Sequence, residues 1–412
     1  MIKKLSSNII IYGATNGIRS LVPFIMLPIL TAYLNAGDYG ILSLIEVSIL
    51  FLAPFITLNI NSAINVEYFR LSKNDLRNYV SNALLLSLGA SILFFVLTGL
   101  LKDKISIFLG IDSTLVVWLP IFALLRVVSS IVLGLYQVSE QPIKYATYTI
   151  SQTLIDFLLS YVLVVIYKYG YIGRLEGVYV AFFMATLYGL WLLYRNGYIS
   201  RHINFSYSKE ILSYGIPLIP HIIGGVILAM SDRYFISYFI NNEAVGYYSV
   251  AYQIASLMLL LSVSVNQAWM PMLYKLLGNY KKNQNNILKI TLYLMVMYTM
   301  FGILIYLFSD LIFSLFVDEA FYSAKVFFPY LLIGFVFQSY YYLFTNYLFF
   351  YKKTVLLAKL TFFSALLNII LNYFFVVKYG AIGVAYATAI TYVLYFFIVF
   401  KISTQLAQKE TT

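Results

Sequence analysis

Several ionisable side chains lie where hydrocarbon would surround them. Arg19, Glu46, Arg126, Asp156, Asp232 and Arg233 all fall inside long apolar runs, and His221 joins them. An arginine, lysine or aspartate at the centre of a membrane helix costs about 2.5–3.5 kcal/mol on insertion scales, so such a group faces a partner or a wet cavity. Arg126 and Asp156 fall near the centres of their runs, where reaching the surface explains them poorly. Glu46 and Arg233 lie closer to the outer surface, and reach could place their charges near headgroups. Polar stripes accompany them. Thr57, Asn61 and Asn65 recur every four residues; Thr149, Gln152, Thr153, Asp156 and Ser160 share a face; Ser249, Gln253, Ser256 and Gln267 share another. Each stripe points into a bundle, either lining an aqueous cavity or bonding a neighbouring helix with no ligand involved.

Other chemistry is excluded by composition. The 412 residues contain no cysteine, which removes disulfides, thiolate catalysis and cysteine zinc sites. Two histidines, His202 and His221, are too few for a histidine metal site. No P-loop is present, so the chain is not itself an ATPase, and no cofactor is expected. No paired carboxylates mark an outer loop for glycosyl transfer, and the expectation is a non-enzyme. The net charge of +11 could indicate nucleic acid, but only 10% of residues are charged and 62% are hydrophobic. In so apolar a chain the basic loops meet anionic lipid, and no nucleic-acid partner is expected.

Spans of about 20 apolar residues must carry these groups. They are expected near 9–34, 40–65, 78–100, 115–138, 146–168, 176–195, 212–240, 245–274, 286–308, 326–350, 355–377 and 382–402. The first continues well past signal-peptide length and reads as a span, not a leader. With the N-terminus inside, cytoplasmic segments hold eighteen Lys and Arg and outer loops six, with three more inside spans, which accounts for all 27. A threefold bias spread over nearly every loop is a positive-inside signature, and it places both termini in the cytoplasm.

The chain also repeats. Lys168-Tyr169-Gly170-Tyr171-Ile172-Gly173 precedes the sixth span, and Lys378-Tyr379-Gly380-Ala381-Ile382-Gly383 precedes the twelfth. Asn35, Gly40 and Ser43 recur as Asn241, Gly246 and Ser249, half the chain length later. Pro23 and Pro28 in the first span match Pro217 and Pro220 in the seventh, each expected to bend its helix as a gate. The expected fold is therefore an all-α polytopic membrane protein. It has about twelve transmembrane helices in two six-helix bundles, residues 1–200 and 201–412, related by a pseudo-twofold axis along the membrane normal, with a substrate cavity between them.

The run Tyr12-Gly13, Pro23-Phe24, Leu27-Pro28, Thr31, Tyr33-Leu34, Tyr39-Gly40 resembles the opening of Wzx-type O-antigen and capsular polysaccharide flippases. Tyr214-Gly215-Ile216-Pro217-Leu218-Ile219-Pro220 and the Lys-Tyr-Gly-x-Ile-Gly turn resemble further patterns of that family, which belongs to the multidrug/oligosaccharidyl-lipid/polysaccharide (MOP) exporter superfamily. The resemblance covers essentially the whole chain. It implies a MATE-like fold in the bacterial inner membrane. It also implies an undecaprenyl-diphosphate-linked oligosaccharide moved from the cytoplasmic to the periplasmic leaflet by alternating access. Membrane lipids, the polysaccharide polymerase and the chain-length machinery are the implied partners. A cationic cavity would then use Arg19, Arg126, Arg233, His221 and Asn61. Cation coupling would use an acid: Asp156 first, then Asp232 or Glu46. The three in-span acids equal the three in-span arginines in number, so the cavity is cationic only if some acids point elsewhere or are protonated. Other readings are a cation-coupled multidrug exporter of the same superfamily, a peptidoglycan-precursor flippase with extra helices, and a membrane-embedded polysaccharide polymerase or ligase.

Overall fold

A computed structural model describes residues 2–409; the side chains of residues 2–10, His221 and Lys409 lie outside the description. Every regular element among the described residues is helical. The helices are α1 (Ile2–Tyr33), α2 (Ala36–Thr57), α3 (Ile60–Glu67), α4 (Lys73–Leu109), α5 (Ser113–Val138), α6 (Pro142–Tyr161) with a π turn (Val162–Ile166), α7 (Gly170–Arg195), α8 (Phe205–Gly215) and α9 (Ile219–Met230). They continue as α10 (Asp232–Phe239), α11 (Asn242–Ala255), α12 (Leu257–Leu277), α13 (Tyr280–Leu307), α14 (Ser309–Phe316), α15 (Phe328–Phe350), α16 (Thr354–Tyr379) and α17 (Ala381–Lys409). Among the described residues, eleven helical segments are long and apolar enough to cross a membrane. A twelfth crossing forms if the 3-10 turn Glu319–Val326 and α15, bent by 58°, count as one. Leu88, Ile92 and Val96 on α4 and Leu292, Val296 and Met300 on α13 are exposed at four-residue spacing, as lipid-facing stripes require.

The chain packs as two compact units, residues 1–226 and 227–412. Within the first, the fourth span (α5) packs on the second (α2, α3), third (α4) and sixth (α7), and the first (α1) on the fifth (α6). Within the second, α15 packs in the same way on α11, α12, α13 and α17, and α10 on α16. The recurring motifs acquire physical reasons. Asn35 and Asn241 each cap the second span of their unit, accepting from the Asp38 and Ala244 N–H at 2.8 Å. Gly170 and Gly380 turn the chain at positive φ (59° and 68°). A Cβ at Gly173 would lie 3.0 Å from the Leu163 backbone, and one at Gly383 2.1 Å from the Phe375 carbonyl, so the fifth span meets the sixth at a glycine in both units.

Helix α8, expected to head the second half, packs on α3 and α4 of the first unit. The Tyr207 hydroxyl donates to Asp75 at 2.9 Å, and the Asn204 N–H to Asn82 at 3.1 Å. The prolines also act differently from the expectation. Helix α1 runs unbroken through Pro23 and Pro28, whereas the seventh span is interrupted by a 3-10 turn at Ile216-Pro217-Leu218 and again at Ser231.

The second span breaks too, at Leu58 and Asn59, both left-handed (φ 47° and 53°). Non-glycine residues adopt that conformation at a cost of about 1–2 kcal/mol each. The break is held against α8: the Asn59 side-chain amide donates to the Gly215 carbonyl at 3.2 Å, and a Cβ at Gly215 would stand 1.9 Å from the Leu58 carbonyl oxygen. Gly215→Ala is accordingly expected to destabilise the purified protein by about 1–3 kcal/mol, the scale of overpacking. The readout is thermal unfolding in detergent. Gly224→Ala, whose Cβ would meet nothing within 4 Å inside α9, serves as the control and should hold Tm or raise it slightly.

Candidate functional site

The most buried charge belongs to the second unit. The break at Ser231 lets α10 begin with Asp232, whose side chain has no solvent exposure. Three helices supply donors to its carboxylate: the Tyr248 hydroxyl from α11, the Thr388 hydroxyl from α17 at 2.7 Å, and the Asn372 amide from α16 at 2.8 Å. Asn372 also donates to the Asn368 Oδ1 at 3.0 Å, and Ser231 donates to that same oxygen at 3.2 Å. The Asn368 amide reaches the Thr391 hydroxyl at 3.4 Å. The Asn372 Oδ1 is buried without a hydrogen-bond partner. The result is one carboxylate held by two hydroxyls and an amide N–H; carboxylate and hydroxyl oxygens are hard ligands of the kind that suit a proton or an alkali cation rather than a transition metal. No cluster of three or more His, Cys, Asp or Glu occurs among the described residues.

Arg233 follows Asp232 in sequence but serves different neighbours. It is 5% exposed. Its Nε donates to the Ser249 hydroxyl at 3.2 Å, and its guanidinium lies over the Tyr252 ring at 4.5 Å. Cation–π contact gives a desolvated arginine about 2 kcal/mol, which makes burial tolerable here.

The first unit pairs its charges. Arg126 on α5 donates two hydrogen bonds to Glu46 on α2, at 2.8 and 2.7 Å, and lies 5.0 Å from the Phe182 ring centroid of α7. The pair is accessible: the side chains are 23% and 48% exposed, respectively. The Arg126 Nε has no hydrogen-bond partner. Asp156 on α6 is bound by Arg174 on α7 at 2.5 Å, and the Ser160 hydroxyl donates to it at 3.1 Å. The sequence reading places Arg174 in an outer loop; the structure puts it in the second turn of α7, where it holds the acid first expected to couple an ion. Two ion pairs, Arg126–Glu46 and Arg174–Asp156, thus link α2 to α5 and α6 to α7.

Arg19 is exposed on α1, with no ion-pair partner among the described residues. Asn61 and Asn65 each turn a buried, unpartnered Oδ1 toward Gly134 of α5, where a Cβ would lie 2.0 and 2.8 Å from the two oxygens. The side chain of His221 lies outside the described residues. Asn368, Asn372, Thr388 and Thr391 are absent from the sequence reading, and Arg174 is given no role in it. The four-residue spacing of Asn368 and Asn372 on an apolar span carries the signal that could have found them.

Residues 5–277 match the family model described as polysaccharide biosynthesis protein, and residues 217–374 match the MatE model. The chain is 21% identical over 370 residues to the Lsg locus protein 1 of Haemophilus influenzae, covering 89% of this chain and 90% of that one. An inward-facing multidrug resistance MATE family transporter of the MOP superfamily superposes with a TM-score of 0.79 at 15% identity, over 96% of each chain. The lipid II flippase MurJ, in an inward closed conformation, superposes with a TM-score of 0.78 at 15% identity, over 98% of this chain and 90% of that one.

Proposed function

The chain belongs to the polysaccharide biosynthesis protein family of the MOP superfamily, a multi-pass membrane transporter fold, and from that premise we propose that it flips a lipid-linked oligosaccharide. The substrate in this reading is an undecaprenyl-diphosphate-linked repeat unit of O-antigen or capsule, passed from the cytoplasmic to the periplasmic leaflet of a bacterial inner membrane by alternating access. The observation that carries it is the family match, which runs through the whole first unit and into the eighth span. The accessible Arg126, and Arg19 beside no acid partner, are cations suited to a diphosphate or an acidic sugar. Asp232, with the Tyr248 and Thr388 hydroxyls beside it, supplies the coupling site, in which a proton or sodium ion neutralises a carboxylate that burial otherwise penalises.

Coupling at Asp232 displaces Asp156 as first choice, because Arg174 already compensates Asp156. A second reading, a multidrug exporter, is favoured by the MatE match over residues 217–374. One genetic experiment separates the two. Deleting the gene should abolish surface polysaccharide while lipid-linked repeat units persist on the cytoplasmic face. Normal surface polymer in a strain with no second flippase would sink the proposal, and new sensitivity to cationic drugs would favour the exporter.

A further inference from the structure

A polar cavity of about 200 Å³ opens at the basic end of the first unit, where α5 and α7 finish and α4 and α6 begin. Lys73 and Lys144 line it with Ser139, Gln141, Asn196 and Tyr198, and its lining includes no acid. Neither lysine forms an ion pair among the described residues, and both are exposed. The helix ends that could have occupied the lysines are satisfied by the chain. Ser139 donates its hydroxyl to the Leu135 carbonyl at 2.6 Å, the Tyr198 N–H donates to Leu193 at 2.8 Å, and the Gly197 N–H to Tyr194 at 3.0 Å. The nearby acid Glu140, at the turn between α5 and α6, is not among the lining residues. The lining therefore supplies two positive charges and neutral hydrogen-bonding groups, and no acid.

Its height in the membrane is fixed by the neighbouring surface. Trp191, beside the lining residues Leu192 and Leu193, is 47% exposed and stacks on Tyr188 with ring centroids 5.6 Å apart. Arg195 lies 5.0 Å over the Trp191 ring. Exposed Trp and Tyr flanked by arginine mark the level of the headgroups. An anion presented at that level is carried by a lipid.

We infer that Lys73 and Lys144 form a binding site for the phosphate group of a membrane lipid, on the side that the positive-inside rule assigns to the cytoplasm. Two lysines near an anionic surface are together worth a factor of ten or more, at about 1 kcal/mol each. The site reads a phosphate, which a phospholipid headgroup and a polyprenyl phosphate both present. It stands whether or not the chain flips an oligosaccharide, because it uses none of the residues assigned to that task.

The test is native mass spectrometry of the full-length protein in detergent. Phosphatidylglycerol and a polyprenyl phosphate are titrated separately onto wild type, Lys73→Gln/Lys144→Gln and the control Lys281→Gln/Lys282→Gln, whose lysines lie on α13. The cavity variant should bind about tenfold less of at least one phosphate lipid, and the control should match wild type. A loss confined to the polyprenyl phosphate names an isoprenoid source, a loss confined to phosphatidylglycerol names a phospholipid, and loss of both shows that the phosphate alone is read. Wild-type binding by the cavity variant would overturn the site. Equal loss in the control would do so as well, since any cytoplasmic lysine would then serve. Both lysines are exposed, so Tm without added lipid should not change; if it does, the single variants Lys73→Gln and Lys144→Gln carry the same comparison.

Discussion

Asp232→Asn is expected to reduce transport about a hundredfold while leaving the protein folded in the membrane. That factor corresponds to about 2.7 kcal/mol, the size of one lost charged, hydrogen-bonded group in a buried site. Asparagine keeps the shape of the side chain and still accepts from Thr388 and Tyr248, but it carries no charge to attract a cation. The expected signature is therefore specific. Wild-type transport in proteoliposomes should respond to an imposed sodium or proton gradient, and wild-type Tm should rise with one of those ions. The asparagine variant should show neither response. Asp232→Ala goes further, because it takes the carboxylate acceptor from the Tyr248 hydroxyl in a fully buried site, at about 1–3 kcal/mol of stability, while Asn372 can still donate to Asn368 and Thr388 to the Val384 carbonyl. Unchanged ion dependence in Asp232→Asn, with normal transport, would remove Asp232 from the coupling role.

Arg126→Ala should lower transport of an anionic cargo by ten- to a hundredfold without loss of the protein from the membrane. The guanidinium is held in a two-pronged contact by Glu46, yet both side chains remain accessible and the Arg126 Nε is unpartnered. A phosphate oxygen offers the same geometry as a carboxylate, so a cargo anion can exchange with Glu46 for the fork. Glu46→Gln removes the competing charge and should impair transport less than Arg126→Ala. The double variant should be no worse than Arg126→Ala alone, because the two residues act as one unit and their effects do not add. Transport by Arg126→Ala at the wild-type level would take Arg126 out of the substrate path. A double variant far below either single would show that the two side chains serve separate tasks.

The number of spans was legible because it depends on local quantities. A run of apolar residues long enough to cross hydrocarbon is visible in any window of about 20 positions. The internal repeat was legible for a similar reason. Asn35 and Asn241 are helix caps, Gly170 and Gly380 left-handed turns, and Gly173 and Gly383 close backbone contacts, so each is tied to its residue type by short-range geometry. The glycine turn was also part of the family resemblance, beside the Tyr12–Gly40 run and Tyr214–Pro220.

Charge pairing was not legible, because it joins residues far apart in sequence. Glu46 and Arg126 are separated by 80 residues, and Asp232 and Thr388 by 156. Arg174 shows how near a miss can be. Its nearness to the Lys-Tyr-Gly turn made it read as a loop residue, yet α7 begins at Gly170 and turns Arg174 onto Asp156. That single contact pairs Asp156 with an arginine, which is why the proposed coupling role moves to Asp232. The breaks at Leu58–Asn59 and Ser231 belong to the same class, since neither carries a glycine or proline to announce it. The sequence by itself determined that this chain crosses the membrane about twelve times and repeats its plan, because hydrophobic length and turn chemistry act within a few residues. Only the tertiary structure decided which buried charges neutralise one another and which acid has no basic side chain bonded to it, because a low-dielectric interior makes each charge answer to whatever neighbour the packing supplies.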